Sequence, residues 1–303
     1  MPSAEGKVTK RRFWWGLGAG TLAALYFLRR EQRRRSLPPV QVEPEQARYA
    51  LVTGASSGIG AAYALRLANE GYSLILVARR AERLRALATE IERHCDVKAR
   101  VLVADLATPQ GQAKVERAIT EAESLDVLVN NAGFASQGDF VGSELPEQVA
   151  MHSLHVLAPM RFMRAALPQM LARGQGSIVN VSSLMAFYPL PGQVSYGATK
   201  TYLKTFTEAL SLELRGTGVR VQALCPGFTR TEFQIRADIG SSHLPDFIWM
   251  SPTKVVEQSF RDLQYGEVVS VPGWGYRVLA ELARFVPRPL LYYVGVGIRD
   301  WRE

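Results

Sequence analysis

Tyr196 and Lys200 stand four residues apart in a stretch that reads as helix, so their side chains project from one face about a turn apart. A phenol is a weak acid/base at neutral pH, and a nearby ammonium favours its phenolate, so such a pair is suited to passing a proton to or from a substrate oxygen. A second segment suited to chemistry is Thr53-Gly54-Ala55-Ser56-Ser57-Gly58-Ile59-Gly60, which precedes the helix-prone stretch Ala61–Glu70. Glycines let a backbone approach a pyrophosphate closely, and the N-terminus of the following helix offers N–H donors and a positive dipole. Further on stands Val77-Ala78-Arg79-Arg80, where an enzyme that binds NAD usually places an acid for the ribose hydroxyls. Guanidinium groups suit the extra 2′-phosphate of NADP instead. The alternative is a solvated arginine pair that merely opens the next helix.

These groups need a scaffold that brings strand ends together. Apolar β-type runs at Tyr49–Thr53, Ser73–Ala78, Val101–Ala104, Val127–Val129, Ser177–Val181 and Val219–Leu224 alternate with helical patterns. Near-continuous apolar strands separated by helices imply a parallel sheet covered on both faces. The predicted fold is a single-domain, doubly wound α/β domain of the Rossmann type over residues 48–270. It places the glycine-rich turn between the first strand and its helix.

The glycine spacing is Gly-x-x-x-Gly-x-Gly, not the Gly-x-Gly-x-x-Gly of the standard dinucleotide fingerprint. Here the sequence resembles the classical short-chain dehydrogenase/reductase family, marked by Thr-Gly-x-x-x-Gly-x-Gly. The resemblance continues in family order through Asp105-Leu106, Asn130-Asn131-Ala132-Gly133, Ser183, Tyr196-x-x-x-Lys200 and Pro226-Gly227. It implies an NADP(H)-linked oxidoreductase with Ser183, Tyr196 and Lys200 as catalytic residues. Cofactor contacts are then expected from Gly54, Ser56, Ser57, Gly58, Ile59, Gly60, Arg79 and Arg80, and also from Tyr196 and Lys200. Asp105 and Leu106 are expected at the adenine, and Asn131, Ala132 and Gly133 along the adenosine ribose, where they also steady the sheet. Pro226, Gly227, Thr229 and Thr231 match the segment beside the nicotinamide. Ser182 neighbours Ser183, but strand alternation directs the two hydroxyls oppositely, which favours Ser183. One departure is His155, which stands where the family keeps an asparagine that supports a water relay to the lysine. A histidine can hold a similar water but titrates near neutral pH, and it is also read as an ordinary helix histidine.

The chain has 303 residues, of which 47% are hydrophobic and 21% charged, enough to bury a full core. Its net charge of +8 lies almost wholly in residues 1–35, with nine basic residues against two acidic ones, which leaves a nearly neutral body. That distribution argues against nucleic acid as a partner, because a nucleic-acid protein carries its charge on the folded face. Between the basic clusters runs the uncharged segment Phe13–Leu28, whose sixteen residues make a helix about 24 Å long. Flanking arginine stems can extend its reach, so residues 1–35 read as a membrane-anchoring leader, with a cleaved leader or a soluble packing helix as alternatives. Residues 36–47 read as a proline-rich linker and 271–303 as an apolar tail. Cys95 and Cys225 form no CxxC or Cys/His cluster, and none of the four histidines falls in a HExxH pattern, so no metal site is expected.

Beyond Thr231 come Phe233, Ile235, Leu244, Phe247, Ile248, Trp249 and Met250, in the region that forms a substrate lid in the family. An apolar lid implies a lipophilic substrate such as an acyl chain or sterol, although packing onto the body is the competing reading. The body is broadly similar to membrane-associated 3-oxoacyl and hydroxysteroid members of the family. The expected protein is thus a membrane-associated homo-oligomer with its catalytic domain in the cytoplasm, the alternative being wholly cytoplasmic. The rival functions are a non-catalytic NADP-binding scaffold and a soluble reductase of a small polar metabolite.

Overall fold

The computed structural model describes residues 48–136, 138–233 and 245–286. The expected leader, the linker and the tail beyond 286 lie outside the described residues, as do Ile235 and Leu244 of the expected lid. The chain divides into two compact units, one of residues 43–263 and 267–303 and the other of 1–42 and 264–266. Every strand of the sheet belongs to the first. Among the described residues no helix is long and apolar enough to cross a membrane.

Seven parallel strands lie in the order β3-β2-β1-β4-β5-β6-β7. They are β1 (Tyr49–Thr53), β2 (Ser73–Ala78), β3 (Ala99–Val103), β4 (Leu125–Asn130), β5 (Gly176–Val181), β6 (Val219–Leu224) and β7 (Val269–Ser270). Helices α1 (Gly58–Asn69), α2 (Ala81–His94), α3 (Pro109–Thr120), α4 (Leu145–His152), α5 (Ala158–Arg173), α6 (Val194–Glu213), α7 (Pro252–Gln264) and α8 (Trp274–Phe285) connect or flank them. The single-sheet α/β fold is therefore as the sequence implies. Three of the six expected strands keep their bounds, while β3 begins two residues early and ends one early, β4 extends at both ends and β5 gains Gly176. The two-residue β7 is too short for any hydrophobic pattern to announce.

Strand alternation sends successive side chains to opposite faces, and each face builds its own core. Ala50 and Val52 pack with α1, α2 and α7 through Leu67, Leu84, Ile91 and Val255. Leu51 packs with α3 and α5 through Val115, Ile119, Phe162 and Met170. The order reverses between β1 and β4, which puts a crevice at their carboxyl ends, where an open α/β sheet binds its ligand. Thr53 closes that point: its hydroxyl donates to Val129 O at 3.2 Å and accepts from the N–H groups of Asn131 and Ala132 at 2.9 and 3.0 Å.

Candidate functional site

The glycine-rich turn emerges from β1 and becomes α1. A Cβ on Gly60 would overlap the carbonyl oxygen of Gly54, so helix and turn touch backbone to backbone. Gly58 has φ of +58°, and a Cβ there would lie 2.9 Å from Thr231 Cγ2, so Thr231 rests on the turn. Asn131 holds the turn from the β4 side, its amide donating to Thr53 O at 2.9 Å and Gly54 O at 3.3 Å. The cradle is thus built of backbone that no larger side chain could replace, which is what a pyrophosphate requires.

At the end of β2 the two arginines part. Arg79 is exposed. Arg80 folds back over the turn, donating from Nη2 to the hydroxyls of Ser56 and Ser57, both at 2.8 Å, and from Nε to Ser56 at 3.1 Å. Its Nη1 meets the Glu232 carboxylate at 2.7 Å, and Arg83 pairs with the other oxygen of that group. The two guanidinium groups hold the Glu232 carboxyl down at about 2. Two guanidinium groups therefore hold a carboxylate beside the cradle. The sequence pattern pointed to Arg79 with Arg80. The fold adds Arg83, which lies three residues on in the first turn of α2 and so on one face with Arg80, while Arg79 stays open to solvent.

Asp105 follows β3, exposed, with Oδ1 accepting from Ala107 N at 3.1 Å. Leu106 is buried in the core, its carbonyl held by Gln112 at 2.9 Å. On the other side of the crevice, Pro226 O accepts from Leu184 N at 2.9 Å, and Gly227 lies under the Tyr276 ring. The Tyr276 hydroxyl accepts from Phe228 N at 3.2 Å and donates to Ile248 O at 2.7 Å, which fixes the segment ending in Thr231. Thr229 is buried and donates to Gly227 O at 3.0 Å.

Ser183, Tyr196 and Lys200 converge where β5 ends and α6 begins its second turn. Ser182 donates to Lys200 O at 2.7 Å and is turned away from the crevice. Ser183 accepts from Met185 N at 3.1 Å and hydrogen-bonds the Tyr196 phenol. Alternation at the strand end thus selects Ser183. Lys200 Nζ lies 5.6 Å from the Tyr196 ring centroid and donates to Val181 O at 2.9 Å.

The electrostatics correct one expectation. The lysine was expected to pull the phenol toward neutrality, yet burial dominates and pushes Tyr196 up to about 12. Burial likewise brings Lys200 down to about 8. The phenol is consequently a loaded proton donor at ordinary pH, beside an ammonium that is still mostly charged near neutrality.

His155 is a second correction. It sits in a π-helical turn, Ser153–Leu157, between α4 and α5. Pro159 has no N–H to return to the carbonyl of residue 155, which explains why the helix opens there. The ring is buried, with Nε2 accepting from Phe134 N at 3.2 Å. Its proton therefore belongs on Nδ1, which lies 3.0 Å from Thr199 Oγ1, and the Thr199 hydroxyl in turn donates to Tyr196 O at 2.9 Å. Both ring nitrogens thus meet protein groups. Burial, then Lys200 and His152, keep the ring well below its usual pKa, so it does not titrate near neutral pH as expected. His155 ties Phe134, just after Asn131-Ala132-Gly133, to the helix that carries Tyr196 and Lys200. Spacing alone gave no signal for Thr199 or Phe134.

Of the expected lid, Phe233 lies against Tyr196 with ring centroids 5.9 Å apart, and Phe228 packs on Trp249 at 5.6 Å. Met250 packs against the core, and Phe247 is exposed. Packing and substrate lining therefore share this segment. A cleft beside Tyr196 is lined by Ser136, Phe140, Gln148, Gln193 and Ser195, more polar than the lid implies.

The family model described as short chain dehydrogenase matches residues 48–240. Sulfoacetaldehyde reductase 2 of Chromohalobacter salexigens is 35% identical over 216 residues, 70% of this chain and 85% of that protein. The very-long-chain 3-oxoacyl-CoA reductase of Homo sapiens is 29% identical over 290 residues, 90% of this chain and 93% of that protein. A short-chain dehydrogenase from Sphingobium yanoikuyae, solved in complex with NADPH, superposes with a TM-score of 0.72 at 36% identity, covering 79% of this chain and 94% of that one. With the sheet order, the glycine cradle and the Ser183, Tyr196 and Lys200 cluster in place, the chain belongs to the short-chain dehydrogenase family and is an oxidoreductase of that type.

Proposed function

We propose that the protein is an NADP(H)-dependent reductase of a carbonyl on a lipophilic substrate such as an acyl chain or sterol. The observation that carries the reading is the convergence of Ser183, Tyr196 and Lys200 at the strand ends beside the glycine cradle. The cradle with Pro226, Gly227, Thr229 and Thr231 would hold a nicotinamide cofactor, which when bound would supply the hydride. Ser183 holds the substrate oxygen by its hydroxyl and stabilises the charge that gathers there. Tyr196 gives that oxygen its proton, and the Lys200 ammonium favours the phenolate left behind.

Arg80 and Arg83 support NADP over NAD, since a guanidinium pair matches a phosphate and repels nothing in it. The aromatic contact of Phe233 with Tyr196 and the similarity to a very-long-chain 3-oxoacyl-CoA reductase support a lipophilic substrate. A second reading, a small polar carbonyl, is favoured by the Ser136, Gln148, Gln193 and Ser195 lining and by the similarity to a sulfoacetaldehyde reductase. Membrane attachment through residues 13–28 rests on the sequence pattern of that segment. Assembly into a homo-oligomer is supported by exposed Leu145, Val149 and Leu157 along α4 and the turn that follows it.

The test is a panel of long-chain 3-oxoacyl, steroid and short polar carbonyls followed by NADPH absorbance, with Tyr196→Phe as the blank. Turnover of long-chain or steroid carbonyls by the wild type is expected. Turnover of short polar carbonyls alone replaces the first reading by the second. Tyr196→Phe keeps the ring and loses the donor, so kcat is expected to fall by about two to four orders of magnitude. NADPH affinity should stay near wild type. A near-normal kcat in that variant overturns the mechanism in favour of an NADP-binding scaffold.

A further inference from the structure

Glu232 lies at a junction that the reaction does not explain. One carboxylate oxygen meets Arg80 at 2.7 Å, and the other meets Arg83. The same Arg80 holds the Ser56 and Ser57 hydroxyls of the cradle. The neighbours of Glu232 are Thr231, which rests on Gly58, and Phe233, which lies against Tyr196. Two guanidinium groups that grip a carboxylate beside a dinucleotide cradle present donors that suit a phosphate monoester as well. All three side chains are partly open to solvent, at 28% for Arg80, 50% for Arg83 and 35% for Glu232.

We propose that Glu232 is a specificity-determining residue, the internal counterion of an Arg80–Arg83 site from which the cofactor's 2′-phosphate must displace it. The inference rests on the NADP reading of that site. Two anions compete for one set of donors. The phosphate brings about −1.5 to −2 charges and three acceptor oxygens against one charge and two oxygens. The phosphate therefore wins, but by a margin that Glu232 reduces. NADH carries no group that reaches for the arginines, so its binding leaves the carboxylate in place. Glu232 thus lowers NADPH affinity selectively. Because the arginines keep it ionised down to about pH 2, no ordinary pH relieves the competition.

Titration of the full-length wild type, Glu232→Gln and Arg83→Ala with NADPH, NADH and 2′,5′-ADP, read by calorimetry at fixed salt, tests this. Glutamine keeps the shape and removes the charge. Glu232→Gln is expected to bind NADPH and 2′,5′-ADP about fivefold more tightly, the fold-change of a partly exposed ion pair near the top of its usual range. NADH should change less than twofold. Adding Arg83→Ala to Glu232→Gln should abolish the gain. Unchanged or weaker NADPH binding in Glu232→Gln overturns the inference, because the glutamate would then order the arginines rather than compete for them. Equal tightening of NADPH and NADH overturns it too. Failure of the underlying reading is distinguishable, since the wild type would then bind 2′,5′-ADP no better than 5′-AMP and Arg80→Ala would leave NADPH binding intact.

Discussion

Burial opposes ionisation in both Tyr196 and Lys200, and the consequences differ. The phenol stays protonated far above neutrality, while the lysine loses its proton near pH 8. A reductive step that leaves a phenolate needs the ammonium beside it, so kcat for reduction is expected to fall as pH rises through about 8. Lys200→Arg keeps a charge throughout this range and should flatten that limb, although its fork cannot reproduce the contact to Val181 O. A pH profile of kcat from 6 to 10 reads the difference, and a wild-type profile flat to pH 10 refutes the assignment. Ser183→Ala should lower kcat with little change in NADPH affinity, since the serine's partners are Met185 N and the Tyr196 phenol.

Among the elements, the π-helical turn is held by His155, whose neutral ring bridges Phe134 and Thr199. A histidine with its folded pKa depressed contributes stability that is full above its unfolded value near 6.5 and is lost as pH falls. The sign follows because below that value the unfolded chain takes up a proton that the folded chain refuses. Wild-type stability should therefore drop between pH 7 and 5 more steeply than that of His155→Gln, measured by urea unfolding at each pH; parallel curves would refute the buried neutral state. A second joint fastens α7, β7 and α8. Asp262 is fully buried and accepts from Ser270 at 2.8 Å and Gln258 at 2.9 Å, with Arg277 3.5 Å away. Asp262→Ala strands those donors and is expected to cost about 3 kcal/mol in urea unfolding. A loss under 1 kcal/mol would show that water replaces the carboxylate.

For the whole molecule, the sheet and both of its cores lie within residues that follow Arg48. Deleting residues 1–35 should accordingly leave NADPH affinity within about twofold while releasing the protein from membrane fractions, since the apolar run with its basic flanks precedes the first strand. Sedimentation with vesicles before and after truncation reads this directly. A truncated protein that still pellets fully with lipid assigns attachment to the folded body or to the apolar tail.

The sequence by itself determined the parallel α/β sheet, because its strands are short, near-continuous apolar runs separated by helical patterns, a local signal of burial on both faces. It likewise determined the glycine cradle and the Tyr196–Lys200 pair, whose spacing is local. Strand alternation already favoured Ser183 over Ser182, and the tertiary structure adds the partner, the Lys200 carbonyl to which Ser182 turns. It also added Arg83, because Glu232, more than 140 residues away, draws Arg83 and Arg80 together. His155 reads in sequence as a titratable helix residue, and in the fold burial and two committed nitrogens make it a neutral brace. Spacing fixes which face of an element a group occupies. What that group meets there, and so its charge state, depends on residues brought in from the other end of the chain.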